Sequence, residues 1–300
     1  MAKKLGPLFI IFAAFLWALD GIVLTPKLYG LPVPLVVFIE HLLAFLLMLP
    51  FFISEWRELK KMRRGDWQAI LWVAVFGGAL GTMFITKALF YVNFVNLSIV
   101  ILIQKLQPLF ALALAVIILK ERPPKKFFVW AAAAIIGVYL ATFGLQLPNL
   151  DTGDKTAAAA LFALGAAFAF GSSTVFSKKA LANISFRTGT YLRFGLTALL
   201  MLFIAGAEKN FSVINQITGS QFIVFLIIAL TTGGTAIFLY YYGLKWVSAS
   251  VSTICELAFP LSAIVLEYLI RGNALNYIQW AGAVILLYAI YKVSLIKNYN

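Results

Sequence analysis

Six ionisable residues stand inside otherwise apolar stretches of this chain: Asp20, Glu40, Lys87, Lys105, Arg193 and Glu256. In hydrocarbon such a side chain costs at least about 2.5–3.5 kcal/mol at the centre of a helix, so it faces a cavity or a partner. Their formal charges cancel, as a mutually compensated cavity requires. Such a set suits a small polar or zwitterionic molecule. Asp20, Glu40 and Glu256, with His41 beside Glu40, are also the groups able to hand on a proton. Gln104 and Gln107, three residues apart, share a helix face and add neutral hydrogen-bonding groups to the cavity. Lys105 points about 200° away from Gln107 and is assigned to a helix–helix contact or ion pair. Pro108 and Pro260 each release a carbonyl four residues back, at Gln104 and at Glu256, where a kink would widen the cavity. Trp17, one turn before Asp20, and Tyr241 within Tyr240-Tyr241-Tyr242 offer aromatic walls.

Several of these residues have a plainer reading, and both readings stay open at the level of sequence. Lys87 either lines the cavity or snorkels outward near Tyr91. Asp20 either meets substrate or locks onto Lys87. His41 points about 100° from Glu40 and is either a proton carrier or a packing residue. Glu267 with Arg271, four apart near a span end, is a plain helix pair.

The elements that position these residues are apolar runs, at roughly 5–25, 34–54, 67–91, 96–119, 126–144, 157–177, 186–207, 221–243, 248–270 and 275–296. About 20 residues of helix match a bilayer core at about 1.5 Å rise per residue. The chain is 63% hydrophobic and 12% charged, with a mean hydropathy of +0.96, which leaves no room for a separate soluble domain. The single cysteine, Cys255, lies inside an apolar run, so no internal disulfide or thiolate metal site exists. Lys3 and Lys4 precede the first run, which carries Asp20 and lacks a small-residue cleavage site at its end; it reads as a retained helix.

The net charge of +13 marks orientation rather than nucleic acid, since no basic groove interleaved with aromatics is present. Arg57, Lys60, Lys61, Arg63 and Arg64 fill one gap, and Lys120, Arg122, Lys125 and Lys126 another. Lys178, Lys179, Arg187 and Lys245 follow in gaps of the same parity, together with Lys3, Lys4, Lys292 and Lys297. The opposite gaps hold only Lys27, Lys155, Lys209 and Arg271. Both termini are therefore expected in the cytoplasm, in a plasma or inner membrane.

The segment Gln146–Thr156, with Pro148, Asn149, Asp151, Gly153 and Asp154, has loop composition and divides the chain into residues 1–145, a linker 146–156 and residues 157–300. Leu8-Phe9…Ala13-Ala14-Phe15 aligns with Leu161-Phe162…Ala166-Ala167-Phe168, Gly81-Thr82 with Gly234-Thr235, and Pro108-Leu109 with Pro260-Leu261. Five spans per half force the second half to be inverted, and the opposite charge bias of corresponding gaps agrees. The fold expected is an all-α polytopic membrane protein of ten transmembrane helices in two inverted five-helix repeats, with a site near the midplane. Glu40 then corresponds to Arg193 and Gln104 to Glu256.

The whole chain resembles the ten-helix drug/metabolite transporter superfamily of EamA type. The resemblance rests on the five-plus-five spans, Leu8-Phe9…Trp17, mid-span Pro108, Leu119-Lys120-Glu121-Arg122 and Gln279-Trp280-Ala281-Gly282, with a departure at Asn273. It implies a central cavity built from the first, third and fourth helices of each half, carrying Trp17, Lys87, Gln104, Gln107, Tyr241 and Glu256. Glu40 and Arg193, on the second helices, are added from charge alone. The expectation is a secondary transporter that exports a small amino-acid-like metabolite by alternating access, with no cofactor and no metal. Its partners are the lipid bilayer and the substrate, with a homodimer left open. A scaffold or assembly subunit is the alternative. No phosphate-binding loop for a primary pump is present, and one His and one Cys in different halves supply no catalytic set for an enzyme.

Overall fold

The structure, a computed structural model, describes residues 2–92, 98–148, 155–272 and 275–296. Linker residues Asn149, Asp151, Gly153 and Asp154, as well as Asn273, Lys297 and the Arg271 side chain, lie outside the described residues. Among those described, ten helical spans follow one another with no strand. They are α1 (Leu5–Leu28), α2 (Val33–Pro50), α3 (Arg64–Tyr91), α4 (Val100–Ile118), α5 (Lys125–Phe143), α6 (Thr156–Leu181), α7 (Phe186–Ala207), α8 (Gly219–Trp246), α9 (Ala249–Ile270) and α10 (Tyr277–Ser294). The first nine are long and apolar enough to cross a bilayer. In the tenth, Gln279, Lys292 and three tyrosines dilute an equally long helix.

Local chemistry sets the ends. Ser185 and Ser248 accept from the backbone N–H three residues on, starting α7 and α9. Thr218 with Gln221, and Asn276 with Gln279, form capping boxes for α8 and α10. Pro124 precedes α5, and Gly144 stops it at a φ of +63°.

Packing makes the repeat visible. α1 lies on α8 and α9, just as α6 lies on α3 and α4; α2 meets α8 as α7 meets α3. The pairs α2–α7, α4–α9 and α5–α10 map onto themselves. Exchanging each helix for the one five later therefore regenerates these main contacts, as two inverted repeats about an in-plane axis do. The α5–α10 pair is backbone-close: a Cβ on Gly282 would lie 2.4 Å from the Ala141 nitrogen, and one on Gly137 would lie 2.7 Å from the Leu286 nitrogen.

Four spans are interrupted in the middle. α4 breaks between Gln104 and Gln107, and α9 between Cys255 and Ala258, each just before its proline. α3 widens into a π-helix over Val73–Leu80, and α8 breaks at Thr231–Gly233. Irregular backbone at this depth is tolerated only where protein or a cavity surrounds it. All four breaks lie on helices that meet at the repeat interface.

Candidate functional site

Glu256, at the break in α9, is the centre of a buried polar cluster. Its Oε2 accepts from Gln107 Nε2 at 2.8 Å, across the repeat boundary. Its Oε1 accepts from Tyr240 Oη at 2.7 Å, Ser252 Oγ at 3.1 Å and Thr174 Oγ1 at 3.4 Å. Thr174 and Tyr240 are themselves 2.9 Å apart. α4, α6, α8 and α9 thus converge on one carboxylate, and α1 adds Trp17, whose ring lies 5.2 Å from that of Tyr240. No cation lies within ion-pair distance of Glu256 among the described residues. A buried carboxylate held by neutral donors keeps them oriented, and a polar ligand can take them over.

The proline-linked break explains how Glu256 and Gln107 come to face each other. Glu256 closes the first segment of α9, and Gln107 opens the second segment of α4, so each side chain projects from a helix end instead of a continuous wall.

A second cluster surrounds Arg193 on α7. Its Nη2 donates to the Gly77 carbonyl at 2.8 Å and its Nη1 to Tyr241 Oη at 3.4 Å, with the guanidinium 5.9 Å from the Tyr241 ring centre. Tyr241 also pairs with Ser177 at 2.9 Å. Both the Gly77 acceptor and Ala74 lie in the π-helical turn of α3, where Thr197 Oγ1 donates to the Ala74 carbonyl at 3.1 Å. Arg193 Nε and the neighbouring Ser173 Oγ are buried with no hydrogen-bond partner among the described residues.

The structure sorts the expected residues. Trp17, Gln107 and Glu256 come together; Arg193 and Tyr241 form the adjoining cluster. Gln104 does not join Gln107: its Nε2 donates to the Ala163 carbonyl of α6 at 3.2 Å. Lys87 lies over the Phe162 ring at 5.8 Å instead of locking Asp20. Asp20 accepts from Thr25 Oγ1 at 2.9 Å and sits within electrostatic range of Glu40. His41 Nδ1 bonds the Val37 carbonyl at 2.8 Å, and its ring packs on Phe194. Lys105 sits in the α4 break itself. Sequence reasoning missed Thr174 and Ser252, and of the three adjacent tyrosines named for the aromatic wall it settled on Tyr241 rather than Tyr240. Ser252 carried a signal, standing four residues before Glu256 on the same face; Tyr240 and Tyr241 were separable only by knowing the rotation of α8.

Two inverted five-helix repeats enclosing a polar, membrane-buried site define a membrane transporter. The EamA-like transporter family matches residues 4–143 and again 157–295, and the chain belongs to that family. It is 46% identical over 290 residues to the riboflavin transporter ImpX of Fusobacterium nucleatum, covering 96% of this chain and 97% of that one. An uncharacterised transporter of Bacillus subtilis, YwfM, is 25% identical across 98% of this chain and 95% of its own. A solved crystal structure, 14% identical, matches 97% of both chains with a TM-score of 0.69, a likeness of fold.

Proposed function

We propose that this protein carries riboflavin, or a flavin close to it, across the membrane by alternating access, with Glu256 and Gln107 at the heart of the site. The observation that carries the reading is the cross-repeat cluster on Glu256, with the Trp17–Tyr240 aromatic pair beside it. A flavin presents a flat tricycle, an imide edge that both donates and accepts hydrogen bonds, and a chain of hydroxyls. An aromatic surface next to Gln107, Glu256, Thr174 and Ser252 suits all three, and the 46% identical relative bears the name of a riboflavin transporter. The amino-acid-like substrate expected from mixed charges has weaker support, because Arg193 is committed to Gly77 and Tyr241.

On this reading the face bearing the basic loops is cytoplasmic, as are both termini. The two halves rock about the α4 and α9 breaks, exposing Glu256 to one side and then the other.

Counterflow of labelled riboflavin into proteoliposomes tests the reading, with Glu256→Gln alongside. Flux is expected in the native protein. It should fall at least about 100-fold in the variant, the equivalent of about 2.7 kcal/mol. Vesicles preloaded or empty separate export from uptake, and an imposed pH gradient separates proton coupling from facilitation. Folded protein that moves neither riboflavin nor amino acids would favour the scaffold reading.

A further inference from the structure

Two carboxylates from the first repeat cap helix N-termini of the second, both on the face that carries the basic loops. Glu58, on the short helix Trp56–Leu59 after α2, accepts from the Ser185 N–H at 2.8 Å and from the Thr188 hydroxyl, at the start of α7. Glu121, buried in the loop after α4, accepts from the Ala249 and Ser250 N–H groups at 2.7 and 3.0 Å and from the Ser250 hydroxyl, at the start of α9. A carboxylate on a helix N-terminus gains from charge-assisted hydrogen bonds and from the helix dipole together. Asp66 to Asn183 at 2.7 Å and Glu55 to Arg187 at 3.3 Å join the same two loops beside Glu58.

The opposite face has no such carboxylate among the described residues. By the repeat alignment Glu58 corresponds to Phe211, which packs edge-on against Phe38 of α2 at 5.3 Å. Glu121 corresponds to Asn273, outside the described residues.

We propose that Glu58 and Glu121 are a paired latch that holds the basic face shut, and that both caps must release before Glu256 is exposed to that side. The inference rests on alternating access, and it is independent of the substrate. Each carboxylate reaches across the boundary between repeats, so a movement separating α4 from α9, or α2 from α7, breaks the bonds. Water then takes over the freed carboxylates and N–H groups. The apolar contact at Phe211 has no equivalent hold, which biases the resting protein towards a closed basic face.

Thiol labelling tests this without any substrate. In a Cys255→Ser background, Ser177→Cys places a thiol between the Glu256 cluster and the basic face, where Ser177 is buried against Tyr241. Met201→Cys, buried on the other half of α7, controls for general loosening. A membrane-impermeant maleimide applied from the basic side is expected to label residue 177 at least about fivefold faster when Glu58→Gln and Glu121→Gln are combined. Labelling at 201 should stay unchanged. Each single replacement should give a smaller rise, so any of the three variants that assembles decides the matter. An unchanged rate at 177, or equal rises at 177 and 201, overturns the latch. Failure of riboflavin flux would bear only on the substrate.

Discussion

The middles of α3 and α8 occupy equivalent places in the two repeats, yet they satisfy their backbone differently. In α3 the carbonyls of Ala74 and Gly77 accept from Thr197 and Arg193, side chains of α7. The equivalent carbonyls of α8 are those of Ile227 and Leu230. They accept from Thr231 at 2.5 Å and Thr235 at 2.6 Å, hydroxyls of α8 itself. The residues of α2 that correspond to Arg193 and Thr197 are Glu40 and Ala44; a methyl group donates no hydrogen bond, and Glu40 donates none to α8 among the described residues. One helix is therefore tied to its neighbour, whereas the other is satisfied internally and broken. Because α8 carries Tyr240, which donates to Glu256, the untied helix is the one joined to the proposed substrate site.

Arg193→Gln breaks the tied side most severely. It removes two hydrogen bonds from a buried guanidinium and leaves the Gly77 carbonyl short of a partner. The loss of stability should be about 2 kcal/mol. Glu40→Gln, at the equivalent place in the other repeat, should change stability by less than about 0.5 kcal/mol. Thermal unfolding in detergent compares the two, and equal losses would end the claim that the repeats differ here.

Gly78→Ala acts on the same side through packing. A Cβ there would lie 1.9 Å from Thr197 Oγ1, so α3 and α7 must part or the threonine must turn away. The expected cost is about 1–3 kcal/mol. The equivalent residue of α8 is Thr231, which already bears a side chain. Thr231→Ala should therefore cost less than Gly78→Ala in the same melting experiment.

Much of this architecture was legible in the sequence, because hydrocarbon thickness fixes span length and like charges gather in alternate gaps. The Pro108 and Pro260 breaks were legible too, since a proline removes a hydrogen bond wherever it stands. Reading the site failed where the argument assumed an unbroken helix. Gln104 and Gln107 share a face only if the backbone between them is α-helical, and the break re-phases them onto different partners. Lys87 met a ring, and Glu58 and Glu121 met helix ends from the other repeat. Such partners lie more than 70 residues away along the chain, so no local spacing announces them.

The smallest effect is also the most discriminating, because it reads motion instead of strength. Thr197→Val deletes the hydroxyl that reaches Ala74 and should cost about 1 kcal/mol. Thr231→Val deletes an intrahelical bond beside an existing break and should cost a few tenths. Amide exchange then separates a weak tie from a mobile element. In the native protein, amides across 231–236 should exchange at least about tenfold faster than those across 74–80, a local difference of about 1.4 kcal/mol. Thr197→Val should narrow that gap by speeding the α3 amides alone. If the two segments exchange alike from the start, the break in α8 is as rigid as the turn in α3. The asymmetry between the repeats would then be one of bonding pattern only, and motion at the site would have to come from the α4 and α9 breaks.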